Sequence, residues 1–180
     1  MLNMEQETTE IKFSSEKLKK VQEIIGRYPE GKQKSALLPL LHIAQREFGG
    51  WLSVPVMDYV ASLLDIKPIE VYEVASFYTM FNLKPVGHCM IEFCRTGPCM
   101  AVGSHQLIDY TLNKLGIKEG ETTPDGKFTV KGVECLGSCG TAPMAQIGKY
   151  YYEHLTEEKI NKIIEIFGDP SSDTYTKYDI

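Results

Sequence analysis

Cysteine is absent from the first 88 residues of this 180-residue chain, and all five cysteines fall between residues 89 and 139. This clustering predicts two parts, a cysteine-free N-terminal half and a C-terminal half that carries the thiol chemistry. The chain also lacks any run of the roughly 20 apolar residues that a membrane-spanning helix needs. We therefore expect no direct insertion into a membrane.

Positive charge is scarce as well, since 19 lysines and arginines stand against 24 acidic residues and the net charge is −5. No basic stripe offsets this balance, which argues against a nucleic-acid partner. The first ten residues hold three glutamates and no positive start before an apolar run, so they fit neither a secretory signal nor a transit peptide. We expect a bacterial cytoplasmic protein, or a mature chain from which a targeting segment has been removed. In either case the cysteines are expected to be metal ligands or free thiols rather than disulfides.

The N-terminal half shows apolar residues at helical spacing, which predicts a small helical bundle over residues 15–85. Ser14 or Ser15 can cap the first helix, and the pair Gly49-Gly50 ends the second. Pro68 occupies a favoured first position of the fourth helix. Residues 1–14 are predicted to be an N-terminal extension that precedes the bundle.

The C-terminal half changes to the alternating pattern of strands, as in Cys89, Ile91 and Phe93. A further strand is predicted over residues 128–135 and helices at 101–115 and after Thr156, so residues 86–167 are predicted to form a compact α/β module. Residues 168–180 show no periodicity and are predicted to be a mobile tail. The predicted fold class is therefore α+β, a helical bundle followed by an α/β module.

Four of the cysteines form two pairs, Cys94-x4-Cys99 and Cys135-x3-Cys139. Each pair follows a predicted strand and enters a loop that contains glycine, namely Gly97, Gly137 and Gly140. Such loops can approach an inorganic core closely and aim backbone N–H groups at it. The two pairs are therefore candidate ligands of a single metal centre.

The spacing of the pairs favours an iron–sulfur cluster over its rivals. Structural zinc sites usually use C-x2-C knuckles and a thioredoxin-type dithiol needs C-x-x-C, but neither pair has that spacing. A Rieske centre needs two histidine ligands, and only His88 lies near either pair. A zinc-binding interaction module remains the non-redox alternative.

Two residues next to the candidate ligands have less direct roles. Cys89 shares strand parity with Ile91 and Phe93, so we interpret it as a small buried apolar residue rather than a fifth ligand. Arg95 follows Cys94 and has two interpretations, either a charge that balances an anionic cluster or a solvated surface arginine.

These residues make the sequence similar to one known family. It resembles the thioredoxin-like [2Fe–2S] subunit of NADH:quinone oxidoreductase, respiratory complex I, over roughly residues 15–167. The second cysteine pair and its surroundings reproduce the family signature, and the helical half matches in SALLPLLHIAQREFGGWL and EVASFYTMF. The signature residues are Asp125, Phe128, Thr129, Cys135, Leu136, Gly137, Cys139, Ala142 and Pro143.

The resemblance implies a function for the chain. It implies a thioredoxin-like domain with one [2Fe–2S] cluster on Cys94, Cys99, Cys135 and Cys139, which exchanges single electrons with the FMN of a partner subunit. FMN and NADH are expected on that partner and not on this chain, which agrees with the absence of G-x-G-x-x-G and G-x4-G-K-[ST]. The complex would lie on the cytoplasmic face of the inner membrane.

Two other assemblies remain open from the sequence. The equivalent subunit of a soluble NAD-linked hydrogenase or formate dehydrogenase has the same pattern, so the sequence does not separate it from complex I. A free-standing thioredoxin-like ferredoxin is a third possibility. Its cluster domain would need only the second half of this chain, so the N-terminal bundle speaks against it.

Overall fold

Two large hydrophobic cores form among the described residues, one among the N-terminal helices and one between a sheet and its helices. The computed structural model describes residues 11–169 and 171–180. The chain divides into two units, Met1–Pro85 and Val86–Ile180. The change from helical to alternating periodicity falls at this boundary, and the predicted α+β class is confirmed.

The N-terminal unit is built from four α-helices whose apolar stripes face one another. Ser14 caps the first of them, because its hydroxyl accepts the backbone N–H of Lys17 at 3.4 Å. A 3₁₀ turn over Gln33–Ala36 precedes the second helix. The helices are α1 (Ser15–Ile25), α2 (Leu37–Glu47), α3 (Val54–Leu64) and α4 (Pro68–Phe77).

The core of this unit extends upstream of α1. Phe13 is buried, and its ring centroid lies 5.4 Å from that of Phe48 and 5.3 Å from that of Tyr59. The described part of the predicted extension, residues 11–14, therefore packs with the bundle. Residues 1–10 lie outside the described residues.

The C-terminal unit holds a four-stranded sheet in the order β2-β1-β3-β4. The strands are β1 (Cys89–Cys94), β2 (Phe128–Val133), β3 (Ala145–Ile147) and β4 (Tyr150–Tyr152). β1 pairs with β2 in parallel and with β3 antiparallel, and β4 is antiparallel to β3. The helices are α5 (Gly97–Ala101), α6 (Ser104–Leu115) and α7 (Glu157–Gly168).

One face of this sheet forms the second core. Ile91, Phe93 and Val130 point from the strands into a cluster with Ile108 of α6 and Ile163 of α7. Cys89 belongs to the same cluster and is fully buried, and burial raises the pKa of its thiol well above the ordinary value. The interpretation of Cys89 as a buried apolar residue is therefore confirmed.

Two predicted boundaries near the cysteines were wrong. The sequence predicts one helix over residues 101–115, but α6 begins only at Ser104, because Gly103 with a φ of 94° separates it from α5, which ends at Ala101. The break gives Cys99 a short helix of its own. The strand predicted to reach Cys135 ends instead at Val133, so Cys135 lies in the following loop.

The predicted mobile tail contains no helix or strand over residues 171–180, yet it packs against the C-terminal unit. The Tyr178 ring meets Phe167 edge-on with centroids 5.2 Å apart. Ser172 and Thr174 are buried. These contacts argue against a freely moving tail. The sequence did not predict them, because periodicity detects helices and strands and not the packing of irregular segments.

Across residues 11–169 and 171–180, none of the helices combines the length and the apolar character required to cross a membrane.

The bundle core generates a stability prediction. Leu40 is fully buried in α2, whereas Ile69 of α4 is 55% exposed. We expect Leu40→Ala to lower the free energy of unfolding of this unit by about 2–5 kcal/mol, and Ile69→Ala by less than about 0.5 kcal/mol. Trp51 is the only tryptophan and lies in the N-terminal unit, so its fluorescence during denaturant unfolding follows this unit. Equal denaturant midpoints of unfolding for Leu40→Ala and Ile69→Ala would contradict the assignment of Leu40 to the core.

Candidate metal centre

The first cysteine pair is placed by the end of β1 and the short helix that follows it. Cys94 is the last residue of β1, and Cys99 lies in α5 after the turn at Thr96. The two thiols are close enough for each to shift the pKa of the other. The strand end and the helix thus bring together two residues five positions apart.

The second pair lies in the loop beyond β2. Cys135 follows the strand, and Cys139 opens the 3₁₀ turn Cys139–Thr141. Cys135 is close enough to Cys139 to raise the pKa of the Cys139 thiol. Gly137 between them adopts a φ of 79°, a conformation that favours glycine and lets the loop turn back.

The two pairs converge at one end of the sheet. The backbone N–H of Leu136, beside Cys135, donates to the sulfur of Cys94. Cys139 is close enough to Cys99 to raise the pKa of that thiol, and Cys94 in turn is close enough to raise the pKa of Cys139. The structure therefore places all four sequence-predicted site residues together.

The four thiols differ in their exposure to solvent. Cys94 and Cys99 are buried at 3% and 1% relative exposure, and they pack with Met144. Cys135 and Cys139 are exposed. The site therefore has a buried side formed by the first pair and a solvent-facing side formed by the second.

Backbone contacts hold the first pair from several directions. The hydroxyl of the buried Ser104, the first residue of α6, donates to the carbonyl of Cys94 at 2.5 Å. The N–H of Cys94 donates to the carbonyl of Met144 at 3.2 Å. The N–H of Met144 in turn donates to the sulfur of Cys99. Met144 thus bridges the two buried cysteines.

The thiols do not share one ionisation behaviour. Burial opposes ionisation of Cys94, but hydrogen bonds from Thr96, Leu136 and Cys99 outweigh it and lower the pKa of that thiol. Burial and the neighbouring Cys94 raise the pKa of Cys99 to about 11. Reduced contact with solvent and the neighbouring Cys135 raise the pKa of Cys139. Because a neighbouring cysteine raises the pKa of both Cys99 and Cys139, positive charge at the site, such as a metal centre supplies, would favour their thiolate forms.

The donor set fits a binuclear iron–sulfur cluster. Four thiolates are the ligands of a [2Fe–2S] centre, two to each iron. Within residues 11–169 and 171–180, no three His, Cys, Asp or Glu side chains come together around a position for a single metal ion. Two pairs of thiols would supply two ligands to each of the two irons. A Cβ at Gly97, Gly137 or Gly140 would meet no atom within 4 Å, so no neighbouring group crowds the two cysteine loops at these positions.

Comparison with known proteins agrees with this geometry. The sequence pattern of the family described as thioredoxin-like [2Fe–2S] ferredoxin matches residues 21–167. The chain belongs to this family. The predicted [2Fe–2S] cofactor is the one in the family's description, and the thioredoxin-like fold of the C-terminal unit is confirmed.

Relatives within this family are similar along most of this chain. It is 48% identical to a subunit of the NADH-quinone oxidoreductase of Rickettsia felis, over 90% of this chain and 97% of the relative. It is 47% identical to mitochondrial NADH dehydrogenase [ubiquinone] flavoprotein 2 of Dictyostelium discoideum, over 88% of this chain and 64% of that protein. The resemblance stated from the sequence is therefore confirmed.

A solved structure shares the fold in a larger chain. The crystal structure of an NAD⁺-reducing [NiFe]-hydrogenase in its air-oxidized state matches with a TM-score of 0.66 and 25% identity. The match covers 74% of this chain and 23% of the hydrogenase chain. This chain therefore spans about a quarter of the length of that relative.

Arg95, next to the first ligand pair, contacts an acidic side chain. Its guanidinium lies 3.1 Å from the Glu119 carboxylate, and both side chains are about two-fifths exposed. The same Glu119 oxygen accepts the backbone N–H of Gly132 at 2.9 Å. This pairing favours the surface interpretation of Arg95 over a charge-balancing role.

Sequence reasoning missed a carboxylate that holds the second loop. Glu153 accepts hydrogen bonds from the hydroxyls of Ser138 at 2.8 Å and Thr141 at 2.5 Å, on either side of Cys139. These two bonds lower the pKa of Glu153, so the carboxylate stays an acceptor. Nothing in the local pattern near Glu153 signals this role, because its partners lie 12 and 15 residues away in sequence.

The ligand assignment generates a prediction about cysteine variants. We expect Cys94→Ser, Cys99→Ser, Cys135→Ser and Cys139→Ser each to weaken or abolish the cluster, because each removes a thiolate. Cys89→Ser serves as the matched control and keeps the cluster, since Cys89 lies in the apolar core. The measurement is iron and sulfide content after anaerobic purification, with about two of each per intact chain, together with the visible spectrum. Cluster loss in the control, with retention in one of the four, contradicts the assignment.

Proposed function

We propose that Cys94, Cys99, Cys135 and Cys139 hold one [2Fe–2S] cluster and that the chain is an electron-transfer subunit of NADH:quinone oxidoreductase. It exchanges single electrons with the FMN of a partner subunit. The observation that carries the proposal is the convergence of two thiol pairs in a chain that is 48% identical, along nearly its whole length, to a subunit of this enzyme.

In this function the chain holds the cluster and leaves one side of it accessible, and it supplies no reactive group of its own. When bound, a [2Fe–2S] cluster accepts and returns one electron at a time. The buried Cys94 and Cys99 fix one side of the site in the protein, and the exposed Cys135 and Cys139 leave the other open. Electron transfer requires a short, fixed distance to the donor, and this open side is where a partner can approach.

The N-terminal unit supplies no ligand, and its surface suggests a second role. Four large apolar side chains at the end of α4 and beyond it are exposed, with Phe77 at 77%. We call Phe77, Tyr78, Met80 and Leu83 the 77–83 patch. Exposed apolar groups concentrated in one short segment mark interaction sites. We infer that the FMN-binding subunit covers this patch.

The backbone beneath the 77–83 patch is held in place. The Gln45 amide donates to the carbonyl of Met80 at 3.0 Å, and its oxygen accepts the N–H of Asn82 at 2.7 Å. The Asn82 amide also donates to the Gly50 carbonyl at 3.0 Å, and Phe81 is buried in the core. A surface that is ordered before binding loses less entropy when the partner docks.

The proposal places FMN and NADH on the partner and links the chain through it to the rest of complex I, with no nucleic-acid partner. The assembly would lie peripherally on the cytoplasmic face of the inner membrane.

The matching segment of the NAD⁺-reducing hydrogenase favours a second candidate, the equivalent subunit of a soluble NAD-linked hydrogenase or formate dehydrogenase. Identifying the subunits that co-purify from the native cell decides between them.

Because the proposal assigns FMN and NADH to the partner subunit, it predicts that this chain alone does not oxidise NADH. A hydride delivers two electrons at once, and a flavin must take them before they can leave singly. We expect the cluster-loaded chain to show no NADH–ferricyanide activity above a protein-free control. NADH–ferricyanide activity should appear only when the FMN-binding subunit is added. Activity from the purified chain without flavoprotein contradicts the proposal.

The 77–83 patch predicts an effect on assembly. We expect the double variant Phe77→Ser, Met80→Ser in the full chain to bind the FMN-binding subunit about 30-fold more weakly, the effect of losing about 2 kcal/mol at buried anchors. Affinity measured by co-purification and titration tests this expectation.

The matched control for the patch is Ile69→Ser, which replaces another exposed apolar residue of α4 outside the 77–83 patch. We expect it to bind as the unchanged chain does. Cluster content is measured in all variants, so that loss of binding can be separated from loss of cofactor. Equal affinities for the double variant and the unchanged chain place the interface elsewhere.

A further inference from the structure

A tyrosine hydroxyl supports the loop that carries the second cysteine pair. Tyr151 lies in β4, and its hydroxyl donates to the carbonyl oxygen of Leu136 at 2.7 Å. Leu136 also packs against the group formed by Cys94, Cys99 and Met144, and its backbone N–H donates to the sulfur of Cys94. Leu136 is therefore fixed at both of its backbone polar groups, one on a cluster ligand and the other on Tyr151.

Tyr151 is itself held on several sides. It pairs with Gln146 across the β3–β4 ladder, and its carbonyl accepts a hydrogen bond from the Lys177 ammonium. Its ring packs against the apolar group formed by Met144 and the two buried cysteines. Two strands, the C-terminal segment and this packing thus set the position of the hydroxyl.

We propose that Tyr151 is a positioning residue for the cluster, whose hydroxyl fixes the Leu136 backbone so that its N–H hydrogen-bonds the Cys94 sulfur and raises the reduction potential. The inference rests on the ligand assignment proposed above. Reduction adds an electron to an already anionic site, and N–H donors at the sulfur stabilise the added charge. A donor held in advance does so more than one that must reorient.

The matched variants are Tyr151→Phe and Tyr150→Phe in the full-length chain. The first keeps the ring and its packing and removes only the hydroxyl that Leu136 uses. The second removes a hydroxyl from the neighbouring position, where the ring lies 5.0 Å from the Lys149 ammonium instead. We expect Tyr151→Phe to shift the reduction potential to a more negative value, and Tyr150→Phe to leave it unchanged.

The potential is measured by redox titration, with the reduced cluster followed by its electron paramagnetic resonance signal. The coupling of exchangeable protons to the cluster, compared in H₂O and D₂O, provides a second measurement that packing alone does not move. It should change in Tyr151→Phe, because the Leu136 N–H loses its fixed orientation. If this variant binds less cluster, both quantities are read on the occupied fraction.

The outcomes separate this inference from the proposed function. A wild-type chain that holds no [2Fe–2S] signal counts against the ligand assignment itself. A normal wild-type signal with the same potential and proton couplings in Tyr151→Phe overturns only the role of Tyr151. A lowered unfolding midpoint with an unchanged potential assigns Tyr151 to packing and overturns it too. An equal shift in Tyr150→Phe shows that the effect is not specific to the Leu136 contact.

Discussion

Mutual repulsion between thiolates is the constraint on which the C-terminal unit depends. Four sulfurs brought to one end of a small sheet cannot all carry negative charge unless positive charge lies among them. The fold must therefore hold the thiols near one another by other means, and it does so through backbone contacts. Ser104 fixes the carbonyl of Cys94, and Met144 contacts both buried cysteines. These contacts do not require the thiols to attract each other.

The two cysteine pairs are supported in different ways, which matches their different exposure. The first pair is anchored by β1, by α6 and by the apolar contact with Met144. The second pair lies in a loop that is fixed by the Tyr151 hydroxyl of β4, which donates to Leu136, and by the Glu153 carboxylate, which accepts from Thr141. A buried pair on rigid elements would set the position of the proposed centre, and the loop held by these hydrogen bonds leaves its second pair of thiols exposed.

The N-terminal unit meets a different requirement. An electron carrier that diffuses freely needs no dedicated anchor, whereas a subunit must keep its cluster at a constant distance from the donor. The bundle has its own core and a segment of exposed apolar side chains above a hydrogen-bonded backbone. These features suit a chain that works within an assembly, as the similar subunit of the Rickettsia felis oxidoreductase does.

The sequence by itself determined the elements and the chemistry of the centre. Helical and alternating periodicity identify the bundle and the strands, because burial on one face imposes those periods. The spacing of the cysteines and the residues around them identify the metal type and the family. Only the tertiary structure decided the break at Gly103, the pairing of Arg95 with Glu119, and the packing of the C-terminal tail. It alone also revealed Tyr151 and Glu153 as supports of the second loop. Their partners are distant in sequence, and a hydrogen bond between distant residues leaves no periodic signal in either segment.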